Sequence, residues 1–464
     1  MIRITAVLGA LVIALAGVAF TWDAPAPGQY LYILSNNVEQ GQNSVIAYQR
    51  MDDGQLVPHP KGPFMTRGAG INNSTNGKLG PNDIDTPLIV SPDKTRLFAV
   101  NGYSNTIAVF DIQADGSLEH VSGSPFESMG VGPVSLAMSG DVLIVANRNE
   151  DPHQLAELSG AAYSNYATFR VGSEGRLTFL SKVELTDGQK NTQVLVSSRD
   201  ASIIFGNEFV VDVDFDGEGD VSRLFGSEAK VAGGLQSFML GSDGMLQQAD
   251  RMALPETVDP APEVPTIPLG IWDHPTRKLL YAGLVTRNQL GTFRYDRYGK
   301  LSFVSAVANS GQDICWLRVN KAGTRLYAVN NLPREDEQDA AGTITVFDIS
   351  GDKAEQPVEI SRIELPLPLG TFVNNRAMAQ PNSTPFQLTL DEDERFLYVI
   401  NQRIDQSIQR KTSHASQLGG ELGNVLHVLR IKTDGTLEVA GSRHLGQDGV
   451  HETARPQGVV TLDM

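Results

Sequence analysis

Two sets of residues have the types and spacing to do chemistry. The first is the run Asp212-Val213-Asp214-Phe215-Asp216-Gly217-Glu218-Gly219-Asp220. Carboxylates at alternate positions turn their oxygens to one side. The glycine at the sixth place lets the chain bend back, and Glu218 can add its carbonyl, as a calcium loop requires. An EF-hand would need Glu at the twelfth place, where Arg223 stands, so the loop is of another kind. The expectation is a structural calcium ion held by Asp212, Asp214, Asp216, Glu218 and Asp220. The alternative is a solvated acidic loop. The second set is Arg148, Glu150, His153, Glu208, Arg403 and His451, with Glu452 and Arg455 beside the last. A planar guanidinium binds carbonyl and carboxylate oxygens, and His or Glu takes a proton from water, so these types suit hydrolysis. They equally suit solvated loop charges, and what decides is whether the fold brings them together.

The positioning elements are legible in residues 87–122, PLIVSPDKTRLFAVNGYSNTIAVFDIQADGSLEHVS. Four short apolar runs alternate with turns rich in Gly, Asp and Pro, which predicts four antiparallel strands. The second strand recurs as LYILSN, VLIVAN, SIIFGN, LLYAGL, RLYAVN and FLYVIN. The third recurs as SVIAYQR, YATFRVG, LQSFMLG, LGTFRYD, TITVFDI and VLHVLRI. Seven copies at roughly 45–75-residue spacing predict an all-β, seven-bladed β-propeller over 27–464. The first copy starts at its second strand, and PQGVVTLDM at the C-terminus supplies the missing inner one. The ring is therefore expected to close by pairing the C-terminal strand with the N-terminal blade, which removes an open edge.

This topology separates two rims. First-to-second and third-to-fourth connections lie on one rim and are short, as in SPDKT, HPTRK and the DG hairpins. The other rim receives 66–86, 148–164, 208–232, 254–267, 331–341, 366–384 and 402–423. Long loops in a compact domain tend to carry function. Every member of the second set falls on this loop-rich rim, at the mouth of the central channel. Asn follows the second strand in six of seven copies (36, 101, 147, 207, 330, 401), with Leu284 in the seventh. Such repetition fits a strand-exit cap; a ring of amides lining a polar mouth is the other reading.

Composition bounds the partners. The chain has 464 residues, net charge −17 and no basic cluster, which argues against nucleic acid and anionic membrane surfaces. Residues 1–20 carry one Arg and then an unbroken apolar run, the pattern of an export signal. Such a run is also nearly long enough to stay as an anchor, so membrane attachment follows only if it is uncleaved. Either way the propeller is expected to be periplasmic or secreted. The lone Cys315 lies in an apolar inner strand and reads as a packing residue.

With the blades in hand, the pattern SPD…LFAVN…NTIAVFDI…DGSL resembles the seven-bladed lactonase propellers. These include propeller-type 6-phosphogluconolactonases and carboxymuconate cyclases, and are similar to Tyr-Val-Thr-Asn-type surface repeats. The resemblance spans roughly residues 30–464. It implies a hydrolase of a lactone or cyclic ester. Arg148 and Glu150 in VANRNED, Glu208 in FGNEF, and Gln402 and Arg403 in INQRID resemble blade motifs of that family. The family's inner-strand His, in stretches like G-P-H-x-H, is missing from DIDTPLIV, GVGPVSLA, KNTQVLVS, TIPLGIWD, QDICWLRV and STPFQLTL. The acidic run resembles the calcium loops of integrin-like propellers. Two functions stay open: lactone hydrolysis with a small-molecule substrate, and a non-catalytic propeller presenting its loops to a ligand or protein partner.

Overall fold

A computed structural model describes residues 28–71, 84–149, 164–185, 189–209, 233–258, 266–332, 340–366, 383–403 and 423–464. Seven antiparallel sheets form the predicted propeller. Their inner strands are Gln457–Asp463, Leu88–Val90, Pro133–Ser139, Lys190–Val196, Pro268–Asp273, Gln312–Val319 and Thr384–Leu390, for blades one to seven in turn. Each inner strand packs beside the next, and the last beside the first, so they enclose an axis.

The burial of each strand follows from its place in the ring. Second strands lie between neighbouring blades and are covered on both faces. Val142–Asn147 and Leu279–Leu284 are buried throughout, which is why these runs are continuously apolar. Outermost strands such as Leu177–Glu184 are buried only at their first residue and otherwise run half-buried or exposed, as expected for a strand covered on one face. In blades one and two the outermost strand is split: Phe64–Met65 and Phe126–Glu127 pair separately with the third strand, after interruptions that contain Pro63 and Pro125.

Ring closure is as expected. Tyr30 pairs with Leu462, Leu31 with Thr461, Tyr32 with Val460 and Ile33 with Val459. Arg50, buried in the third strand of blade one, bridges Asp463 of the closing strand and Asp391 of blade seven. Blades are also pinned to one another at the hairpins. Gly116 sits in its DG turn at φ 76°, and a Cβ there would come within 2.3 Å of the Tyr30 ring. The neighbouring Tyr32 hydroxyl donates to the Gly116 carbonyl at 2.8 Å.

The recurring Asn residues tie strand exits to neighbouring blades. Asn207 donates to the Pro268 carbonyl of the next blade at 2.9 Å, and Asn401 to the Ala341 carbonyl at 2.9 Å. Asn147 donates to the Ser128 carbonyl and to Asn165. Of the six, Asn36 takes the left-handed backbone, with φ 53°. Cys315 is buried against the apolar core. No helix among the described residues is long and apolar enough to cross a membrane. Residues 1–27, including the export-signal region, lie outside the described residues.

Candidate functional site

Every inner strand except that of blade two shows a break in register near its loop-rich end. The breaks fall between Pro133 and Ser135, Asn191 and Gln193, Leu269 and Ile271, Ile314 and Leu317, and Pro385 and Leu388, and opposite Gly458 in blade one. A bulge frees a residue from the ladder and re-aims side chains. In blades four and seven the residues at the bulge are Gln193 and Gln387. Both reach a segment that crosses the axis, Ile84-Asp85-Thr86, which leads into blade two.

Asp85 is the centre of that crossing. Its carboxylate is fully buried and accepts both arms of the Arg318 guanidinium, at 2.7 and 3.1 Å. Gln193 Nε2 adds a third donor at 3.2 Å, and the same amide exchanges bonds with the backbone of Ile271. Gln387 Nε2 donates to the Ile84 carbonyl at 2.8 Å, while its oxygen accepts the Gly458 N–H. Arg318 also lies over the Trp272 ring, 4.1 Å from its centroid. Arg318 of blade six, Gln193 of blade four and the Thr86 N–H thus bind one carboxylate, while Trp272 of blade five packs on the guanidinium and Gln387 of blade seven holds the adjoining Ile84 carbonyl. Among the described residues they make a charge-neutral floor between the inner strands. Sequence reasoning missed this set. The signal was present: polar residues inside the apolar inner-strand stretches DIDTPLIV, KNTQVLVS, QDICWLRV and STPFQLTL.

The rim residues singled out from sequence divide into two places. Arg148 leaves the second strand of blade three; its side chain is buried, its N–H donates to Gly132 and its carbonyl accepts from Ser164. Glu208 belongs to blade four and is fully buried. It accepts from Arg251 at 3.1 and 2.8 Å, from Gln189 at 3.0 Å and from Gln236. Burial pushes the Glu208 carboxyl up from its ordinary value, while Arg251 and Gln189 pull it back. Across the ring, where blade seven meets blade one, Arg403 is buried and donates to the Glu452 carbonyl at 3.2 Å. His451 is exposed, with its ring bonded to Thr453 at 2.9 Å and its N–H to Asn37. Arg403, Glu452 and His451 therefore form one group, and Arg148 and Glu208 belong to another pair of blades. Glu150, His153 and Asp212, Asp214, Asp216, Glu218 and Asp220 lie outside the described residues. Among the described residues, no three His, Cys, Asp or Glu side chains gather to hold a metal ion.

The architecture has known counterparts. A candidate 6-phosphogluconolactonase from Bacteroides fragilis superposes with TM-score 0.58 at 13% identity, over 94% of this chain and 98% of its own. A periplasmic gluconolactonase from Pseudomonas aeruginosa gives 0.58 at 15%, over 94% and 99%. A hypothetical selenium-binding protein from Sulfolobus tokodaii gives 0.59 at 11%, over 94% of each chain. No protein-family model matches the chain, and no curated protein sequence does. The fold is that of the lactonase-type propellers, and proteins with unlike names share it.

Proposed function

We propose that this chain is an exported hydrolase that opens a lactone or related cyclic ester at its loop-rich rim. The observation that carries the reading is the end-to-end likeness of fold to propellers named as lactonases, one of them periplasmic. The floor across the axis supports it, because a closed floor leaves a cup reached from the rim. Arg148 binds the carbonyl or carboxylate of the substrate, and Arg403 holds the opposite wall. The proton acceptor is a carboxylate or imidazole of the same rim. An acidic chain without a basic cluster favours an unphosphorylated substrate. The loop from Asp212 to Asp220 binds a structural calcium ion outside the cytoplasm.

The test is a panel of sugar and aliphatic lactones assayed by acid release, with the Arg148→Lys chain as comparison. A loss of ten-fold or more in kcat/KM on a hydrolysed lactone, with the melting temperature held, supports the assignment. Panel-wide rates equal to buffer would remove the hydrolase. A second reading, a non-catalytic scaffold with a protein or ligand partner on the loops, draws on the missing inner-strand histidines. It also draws on Glu208, whose carboxylate is already occupied by four donor groups on three residues. It predicts a rim partner and no turnover.

A further inference from the structure

Asp313 stands at the loop-rich end of the blade-six inner strand, Gln312–Val319. Its backbone lies in the left-handed region at φ 65°, which a non-glycine residue occupies only when its surroundings hold it there. What holds it is visible. The Asp313 N–H donates to Asn288 Oδ1 at 2.6 Å. Asn288 is itself left-handed at φ 49° and closes the short 3-10 turn Val285–Arg287 of blade five. The Asn288 carbonyl in turn accepts the Asn309 N–H at 2.9 Å. Two strained residues from adjacent blades thus clamp each other, and the clamp fixes Asp313 without using its carboxylate.

Asp313 is half-buried, and its carboxylate oxygens keep contact with open space. Among the described residues no hydrogen bond or ion pair reaches it. The charged groups on the packed elements are committed elsewhere. Arg287, on the 3-10 turn, donates Nε to Thr266 at 2.9 Å. Arg318, farther down the same strand, is bound to Asp85. Asp273 and Asp391 lie at the far ends of the flanking inner strands, held by Ser198 and Arg50 respectively. Burial alone therefore acts on Asp313, and it pushes the carboxyl up to about 7. A carboxylate in that range accepts a proton effectively at neutral pH.

We propose that Asp313 is the general base of the rim site, taking a proton from the water that attacks the lactone carbonyl. This rests on the hydrolase reading above. The water oxygen bonds to the carbonyl carbon as one of its protons passes to Asp313. The ring C–O bond then breaks, and the Asp313 proton moves to the departing ring oxygen. The product is a hydroxy acid, which ionises to solvent, and Asp313 returns to its starting state with no further reactant.

The test uses Asp313→Asn, because Asn tolerates the left-handed backbone as well as Asp does. On a lactone that the natural chain hydrolyses, kcat should fall by about 100-fold or more, with KM little changed. The rise of kcat/KM through an apparent pKa near 7 should vanish with it. Unchanged kcat or an unchanged pH profile would overturn the assignment while leaving the hydrolase intact. If no lactone in the panel is turned over, the hydrolase and the base fall together; where one is turned over, infrared difference spectra between pH 5 and pH 9 check the carboxyl directly, over the roughly neutral range general bases require. A titrating carboxyl band that is lost in Asp313→Asn supports the proton acceptor, and its absence from the natural chain overturns it.

Discussion

Replacing Arg318 by Met tests whether one buried charge pair holds the propeller axis closed. Asp85 has no exposed side-chain surface and Arg318 has 8%. The guanidinium fork meets both carboxylate oxygens, at 2.7 and 3.1 Å. Charges about 4 Å apart at an effective dielectric near 20 attract by about 4 kcal/mol. Removing one partner of a buried pair costs about 3–5 kcal/mol, because the other charge stays buried. Arg318→Met keeps an apolar stem against Trp272 but leaves the buried Asp85 carboxylate with two neutral donors, the Gln193 amide at 3.2 Å and the Thr86 N–H at 2.8 Å. We expect a loss of about 3–4 kcal/mol in guanidinium denaturation at neutral pH. Asp85→Asn strands the cation and should cost about 2–4 kcal/mol. The double variant orphans neither charge, so it should fall short of the sum by about 2 kcal/mol or more. Trp272 fluorescence reports the floor directly, since the guanidinium lies on its ring. A loss under about 1 kcal/mol in Arg318→Met, or strict additivity in the double variant, would refute the floor as an energetic unit.

Two further perturbations read other parts of the chain. His427 is fully buried, its ring bonded to Ser442 at 2.8 Å, and burial, helped by nearby His444, pushes it down to about 3. The unfolded chain takes up that proton near its ordinary value and the folded chain does not, so stability should be lost as pH falls from about 6.5, by roughly 2 kcal/mol at pH 5. His427→Gln should flatten this acid-side slope in denaturation curves, and identical slopes would reject the assignment. The calcium loop is tested by chelation. The melting temperature should drop when calcium is removed, and Asp214→Ala should melt alike with and without chelator. A natural chain indifferent to chelator has no such ion.

What could be read from the sequence tracks how local each determinant is. The second strands announce themselves because they are covered on both faces, so Leu97–Val100 and Val142–Ala146 must be apolar without alternation. Ring closure could be inferred because the first blade lacks an inner strand and the C-terminus carries a spare. The floor was illegible for the opposite reason. Asp85, Gln193, Arg318 and Gln387 are scattered along the chain and meet only because seven sheets close. Each looks like an isolated polar residue in an apolar run. Asp313 was illegible because its distinction is a backbone angle and a lack of partners, and composition records neither. Glu208 was found from its motif, but its tie to Arg251 on the outermost strand of the same blade depends on side-chain reach across the sheet.

The floor and the rim together constrain where chemistry can occur. Arg318 lies five residues beyond Asp313 on one strand, about 15 Å toward the opposite rim. On the hydrolase reading, a ligand that enters from the loop-rich rim meets Asp313 before it reaches the floor. The floor offers it no net charge, since Asp85 and Arg318 cancel and the amides of Gln193 and Gln387 are already engaged. Electrostatic discrimination must then come from the rim, where buried guanidinium groups on blades three and seven share the ring with the carboxylate on blade six. A neutral cyclic ester is drawn into such a cup by neither sign strongly, and gains most when its carbonyl takes up negative charge beside a guanidinium. Stabilisation that grows along the reaction, over an inert floor, is what separates a hydrolytic site from a surface that merely holds a ligand.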